Sequence, residues 1–275
     1  MIPRERLVLI GHPVAHSLSP VMQNAALEAA GSTLRYEAID VPPDALASFM
    51  DSLRGTNCAG NFTIPHKRAA MQLVQKCTPI AQQAGVVNTF WLDGHNDIAA
   101  DNTDVTGFAS MVNELLPDIP QQARVAVIGA GGAAAAVITA IEAWPGATIS
   151  VHARDLARAV AMRMRHSVVV RACSMRDPCL EDADIVVNAT PLGLAVGDAH
   201  PVELDRLSSN AIVFDLVYTR DETEWVRAAR AGGHVAADGL SMLLHQGVAA
   251  FERWFGTAPD KEAMWSALKA ATGRD

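Results

Sequence analysis

Short apolar runs alternate along this chain with longer segments whose apolar positions recur at helical spacing. Residues 7–10 predict a strand, 20–30 a helix stopped by Gly31, 34–39 a second strand and 44–53 a second helix. A polar loop at 61–67 leads into a helical stretch at 68–75, and 104–116 predicts a helix leaving this first lobe. Pro117 and Pro120 then punctuate the chain.

Beyond the prolines, residues 124–128 form a β-branched run, followed by Gly129-Ala130-Gly131-Gly132-Ala133 and an Ala-rich helix to about residue 143. Further strands are expected at 147–152, 184–188 and 211–215. Strands alternating with helices predict an α/β fold with parallel sheets, in two lobes. Strand, glycine turn and helix in that order form the context of a dinucleotide site. The glycines permit the tight turn and the helix N-terminus faces a pyrophosphate. Ala134 stands at the third glycine position, where a small residue still allows close helix packing.

The tip of the 147–152 strand bears on which dinucleotide binds. It reads Ala153-Arg154-Asp155, with Arg158 one turn beyond Arg154. Two guanidiniums at that spacing suit a 2′-phosphate, and so NADP. Asp155 would repel a phosphate or accept from a free 2′-hydroxyl, which leaves NAD open. The polar tails after the 184–188 and 211–215 strands, which include Thr190, Leu216 and Tyr218, lie where ligands gather in doubly wound sheets.

Composition narrows the class. At 275 residues, 50% hydrophobic and 19% charged, the chain can build two cored lobes. A formal net charge of −8 argues against a general nucleic-acid binder. No apolar run reaches membrane-spanning length, and the N-terminus has no secretory pattern, so a cytoplasmic protein is expected. Cys58, Cys77, Cys173 and Cys179 contain no Cys-x-x-Cys pair, which suggests neither a zinc site nor a disulfide framework. His12, His16 and His66 lack metal-ligand spacing, and no metal is expected. No heptad seam or interface pattern marks an oligomer, so monomer and homodimer both stand.

Two polar motifs hold the candidate chemistry. Lys67 closes Asn61-Phe62-Thr63-Ile64-Pro65-His66-Lys67, and Asp104 closes Asp101-Asn102-Thr103-Asp104. Brought together, an ammonium and a carboxylate make a proton-transfer pair beside a polar substrate. The same two residues also read as a surface ion pair.

These motifs resemble the shikimate dehydrogenase family from end to end. Ser17-Leu18-Ser19-Pro20 is similar to its S-x-S-P loop, 61–67 to N-V-T-x-P-x-K, and Gly85-Val86-Val87-Asn88-Thr89 to G-A-V-N-T. Asn102-Thr103-Asp104 matches N-T-D, 129–133 the G-A-G-G-A turn, and Asp238-Gly239-Leu240-Ser241-Met242-Leu243 with Gln246 the closing segment. Departures are Phe62 for valine, Ala100-Asp101 before N-T-D, Gly247 for alanine, and Ala153-Arg154-Asp155 for N-R-T.

The resemblance implies NADP-dependent oxidation of shikimate and reduction of 3-dehydroshikimate. It implies a substrate lobe at 1–105 completed by C-terminal helices at 238–275, and a Rossmann lobe at 106–237. Ser17 and Ser19 would bind the carboxylate. Thr63, Asn88, Asp104 and Gln246 would surround the ring hydroxyls, and Tyr218 would close the site. Lys67 would exchange the proton with Asp104 holding it in register. Gly239 and Met242 are implied cofactor contacts, Met242 near the nicotinamide. Relatives acting on quinate or aminoshikimate with NAD or NADP share similar motifs, and a non-catalytic dinucleotide sensor on the same fold is the remaining alternative.

Overall fold

Apolar runs bounded by turn residues become strands because both sheet faces are covered by helices. The computed structural model describes residues 4–92, 97–163, 165–166, 168–195 and 197–274. Met1–Pro3 and Asp275, at the two ends of the expected substrate lobe, lie outside them. The chain divides into two compact units. One runs to Gly107 and adds Leu243–Gly273; the other is Phe108–Met242 with Arg274.

In the first unit β1 (Arg6–Gly11), α1 (Ser19–Ala29), β2 (Tyr36–Asp40), α2 (Leu46–Ser52) and β3 (Cys58–Phe62) make parallel ladders, with β1 between β2 and β3. There follow α3 (Lys67–Ala70), β4 (Lys76–Cys77), α4 (Pro79–Ala84), β5 (Thr89–Leu92) and β6 (Ile98–Asp101). The sheet order is β2-β1-β3-β5-β6-β4. β5 runs antiparallel to both β3 and β6, so this sheet is mixed and not parallel throughout. The helix expected over 68–75 stops at Ala70, because Lys76 and Cys77 are drawn into pairing with Ala99 and Ala100. Asn61 and Phe62, expected in a loop, end β3. Phe62 stacks on Phe90 with ring centroids 4.8 Å apart, deep in the core.

The second unit begins within α5 (Thr103–Leu115) and continues as β7 (Arg124–Ile128), α6 (Gly132–Ile141), β8 (Thr148–His152), α7 (Leu156–Arg163) and β9 (Val169–Cys173). β10 (Ile185–Asn188), β11 (Ile212–Asp215), α8 (Glu224–Ala231) and β12 (Ala236–Ala237) complete it. Its six strands are all parallel in the order β12-β11-β10-β7-β8-β9, a doubly wound sheet. Ala134, Ala136 and Val137 of α6 are fully buried; such small side chains permit close packing of a helix on its sheet. α9 (Leu240–Phe255) starts in this unit and ends in the first, where α10 (Lys261–Thr272) packs on α1.

Candidate active site

In the first unit the site is built where strands end. Thr63 N donates to Ile10 O at 2.9 Å and His12 N to Ile64 O at 3.0 Å, so the β1–β3 ladder carries its register into the two loops beyond. One loop holds Ser17 and Ser19. Ser19 N donates to Ser17 Oγ at 3.2 Å, and Ser19 is buried while Ser17 is half-exposed. The other holds half-exposed Thr63 and reaches Lys67 at the start of α3.

Lys67 Nζ donates to Asp104 Oδ2 at 2.5 Å, with side-chain exposures of 19% and 6%. This is a sequestered pair and not the surface ion pair that the sequence also allows. Asn88 fixes its geometry. Thr103 N–H, which can only donate, reaches Asn88 Oδ1 at 2.7 Å, and that orients the amide so that Nδ2 donates to Asp104 Oδ1 at 2.8 Å. The same Nδ2 lies 3.0 Å from Thr103 Oγ1 and 3.4 Å from Gln246 Oε1. Gln246 Nε2 donates to Leu243 O at 2.8 Å, which turns its carbonyl oxygen toward Asn88. Lys67, Asp104, Asn88 and Gln246 therefore form one hydrogen-bonded group.

Residues whose role the sequence does not reveal hold this group in place. Asn102 Oδ1 accepts from Asp104 N at 3.1 Å and Asn102 Nδ2 donates to Val86 O at 3.1 Å. The buried Asp101 carboxylate accepts from Asn102 N and from the Thr78 hydroxyl, and pairs with Arg253 Nε at 2.7 Å. Asp101 thus ties β6, α4 and α9 behind the site, a use for the residue that departs from the family pattern. Gly247 has a comparable reason. A Cβ there would lie 2.1 Å from Met22 Cε, so the buried Met22 side chain occupies the space an alanine would take.

The three nearby histidines have other employment. The His66 ring lies 2.7 Å from Val41 O and is buried, His12 pairs with Asp40, and His16 is exposed.

In the second unit Gly129 sits at φ +112°, and a Cβ would approach Ala189 O to 2.9 Å, so only glycine fits between β7 and the turn after β10. Gly131 is the N-cap of α6, where no side chain satisfies the first-turn amides, and the place of its missing Cβ is open space. Ala130, Gly132 and Ala133 complete the turn. An uncapped helix start without Cβ obstruction fits a pyrophosphate. At the tip of β8, Arg154, Asp155 and Arg158 are all exposed. Asp155 Oδ1 accepts from Ala157 N at 3.1 Å and Arg158 N at 3.4 Å, and Oδ2 pairs with Arg158 Nε at 3.3 Å. Asp155 is the cap of α7, which occupies the carboxylate that otherwise reads as a ribose acceptor.

Thr190 and Leu216 are positioned by a buried network the sequence leaves unmarked. Asn188 Oδ1 accepts from Thr190 N at 3.0 Å and from its hydroxyl at 2.7 Å, while Asn188 Nδ2 donates to Asp215 Oδ1 at 2.8 Å. Thr223 donates to Asp215 Oδ2 at 2.8 Å. Burial pushes the Asp215 carboxyl up to about 6, against the lowering effect of these hydrogen bonds. Leu216 N donates to Asn188 O, and Gly239 approaches so closely that a Cβ would lie 2.3 Å from Leu216 O. Tyr218 is half-buried after β11, and Met242 is buried in the first turn of α9.

Cys173 and Cys179, which the sequence spacing does not pair, are free cysteines whose sulfurs lie 3.2 Å apart. Strand β9, which the sequence pattern does not predict, brings them together.

A doubly wound unit with a glycine turn, joined in one chain to a unit with a buried Lys–Asp pair, defines a nucleotide-dependent oxidoreductase. The shikimate dehydrogenase substrate binding domain matches residues 9–90, shikimate/quinate 5-dehydrogenase 111–241 and the shikimate 5′-dehydrogenase C-terminal domain 239–269. A Chelativorans sp. (strain BNC1) protein named shikimate dehydrogenase (NADP(+)) is 40% identical over 93% of this chain and 92% of its own. The structure of shikimate 5-dehydrogenase from Thermus thermophilus, in complex with NADP(H) and shikimate, is 35% identical. It superposes with a TM-score of 0.85, covering 97% of this chain and 99% of that one. Quinate dehydrogenase from Corynebacterium glutamicum, in complex with NAD, is 32% identical with a TM-score of 0.85, over 97% and 99% of the two chains. The chain belongs to the shikimate dehydrogenase family. Among the described residues no helix is long and apolar enough to cross a membrane.

Proposed function

We propose that this chain catalyses the reversible, NADP-dependent reduction of 3-dehydroshikimate to shikimate. The observation that carries the assignment is the sequestered Lys67–Asp104 pair, oriented by Asn88 and surrounded by hydroxyl-binding groups. Ser17 and Ser19 hold the substrate carboxylate with short hydroxyl donors. Thr63, Asn88, Asp104 and Gln246 share the ring hydroxyls, and Tyr218 is a further substrate contact. Lys67 Nζ gives a proton to the carbonyl oxygen as it becomes a hydroxyl, and takes one back in the oxidative direction. Asp104 Oδ2 keeps the ammonium aimed at that oxygen.

NADPH, when bound, supplies the hydride. Gly129, Ala130, Gly131, Gly132 and Ala133 hold its pyrophosphate on the α6 N-terminus, and Arg154 with Arg158 receives the 2′-phosphate. Thr190, Leu216, Gly239 and Met242 line the remainder. The capping role of Asp155 gives its carboxylate an employment other than the ribose hydroxyls, while its charge stays at the tip, paired with Arg158.

Quinate oxidation with NAD is the second reading, supported by the Corynebacterium neighbour. Following reduced cofactor with purified protein, shikimate or quinate, and NADP or NAD separates the two. Fastest turnover with shikimate and NADP is expected; preference for quinate and NAD overturns the assignment, and inactivity with all four combinations favours a sensor.

A further inference from the structure

At the edge of the second sheet, the parallel register of β8 and β9 sets His152 directly beside Cys173. The chain then turns at residues 174–177 and enters a 3-10 turn, Pro178–Leu180, which returns Cys179 over the end of β9. Cys179 Sγ lies 3.2 Å from Cys173 Sγ and 3.6 Å from His152 Nε2, and all three donor atoms fall within 4.8 Å of one another. His152 is fully buried and Cys173 almost so, while Cys179 is half-exposed and leaves an approach from solvent.

The imidazole is set for ligation. Its Nδ1 lies 3.1 Å from Ser174 O, a group that can only accept, so Nδ1 carries the proton and Nε2 presents its lone pair toward the sulfurs. A backbone carbonyl on the far ring nitrogen is the usual arrangement behind a metal-bound histidine. Ser150 Oγ, 3.0 Å from Nε2, donates to it in the metal-free chain and would turn to a thiolate on binding, and the Asp177 carboxylate faces Cys179 as a second polar neighbour.

We propose that His152 Nε2, Cys173 Sγ and Cys179 Sγ form a binding site for one thiophilic metal ion of the Zn²⁺ class. Zinc bonds of about 2.3 Å to sulfur and about 2.0 Å to nitrogen place tetrahedral S and N ligands roughly 3.5 Å apart and two sulfurs roughly 3.8 Å apart. The Cys179–His152 spacing of 3.6 Å already meets this, and the two sulfurs, 3.2 Å apart, need to separate by about half an ångström. Binding forms two Zn–S bonds and one Zn–N bond, the two thiol protons leave to solvent, and water fills the fourth position. Nothing is oxidised or reduced. None of the three ligands belongs to the substrate or nucleotide groups described above. The ion fastens β8, β9 and the following turn together, just before Arg154.

The test uses the intact chain, reduced and equilibrated with Zn²⁺, then freed of unbound metal and analysed for zinc. A single equivalent is expected to remain. Cys173→Ser with Cys179→Ser should lower retention by more than about 100-fold. Cys58→Ser with Cys77→Ser, both in the other sheet, should leave it unchanged. Titration of the wild-type chain with Cd²⁺ counts the ligands without any variant. Two thiolates give a sulfur-to-cadmium charge-transfer band and a ¹¹³Cd resonance in the range of mixed sulfur and nitrogen coordination. Absence of retained zinc, equal retention in the Cys173/Cys179 double variant, or oxygen-type cadmium coordination overturns the proposal. So does a reduced chain that ignores both metals while readily forming a Cys173–Cys179 disulfide.

Discussion

The two units build their working parts in opposite ways. In the first, side chains do the work: Lys67, Asp104, Asn88 and Gln246 form a buried group in which almost every polar atom has a designated partner. In the second, the backbone does: a glycine at φ +112° and a helix start without a side-chain cap leave amides to face a ligand, above an apolar parallel sheet. A side-chain site is specific but brittle, because removing one partner leaves others buried and unmatched. A backbone site tolerates substitution around it and takes its cofactor preference from a few exposed charges at its rim.

The sharpest way to break this contrast is Asp104→Asn. The amide is isosteric but sets an NH₂ or a neutral oxygen against the Lys67 ammonium. Turnover is expected to fall by about 10³-fold, with NADP affinity, measured by fluorescence titration, unchanged. Loss of cofactor affinity to the same degree would show that the units are not divided as described.

Asp215 supplies the next largest effect. Its carboxyl is raised from 3.8 to about 6, so the folded chain holds a proton more tightly than the unfolded one. Both states are protonated only well below pH 3.8; as pH rises from there through 6 the unfolded chain ionises first, and this group's stabilisation is lost. The full shift corresponds to roughly 3 kcal/mol. Asp215→Asn removes that slope. Urea unfolding should therefore show the variant gaining on the wild type by roughly that amount between pH 4 and 7. A constant difference across this range would show that Asp215 does not titrate there.

The smallest effect belongs to the rim. Arg154→Ala is expected to lower the preference for NADP over NAD by about tenfold, close to 1.4 kcal/mol, with turnover at saturating cofactor little altered. An unchanged ratio of kcat/KM values would place the 2′-phosphate elsewhere.

The legibility of the chain follows the same division. Gly129 to Ala133 stand out because strand, turn and helix are contiguous, and Lys67 and Asp104 stand out because their polar motifs have no packing reason to exist. What holds them stays hidden. Asp101 reads as one more acid, yet it meets Thr78 and Arg253 from distant parts of the chain. The mixed sheet escapes the pattern because β5 and β6 are four residues each and touch the polar motifs only at Thr89 and Asp101, and the 68–75 helix is overruled by the pairing of Lys76 and Cys77. His152, Cys173 and Cys179 carry no recognisable spacing. Only the β8–β9 register makes neighbours of residues 152 and 173.

The central claim is that Lys67 moves the proton at the reacting oxygen while the second unit holds the cofactor. Steady-state turnover of Lys67→Ala with shikimate and NADP, alongside its NADP dissociation constant, tests both halves. A turnover loss of about 10³-fold or more with an unaltered dissociation constant is predicted; turnover near that of the wild type would contradict it.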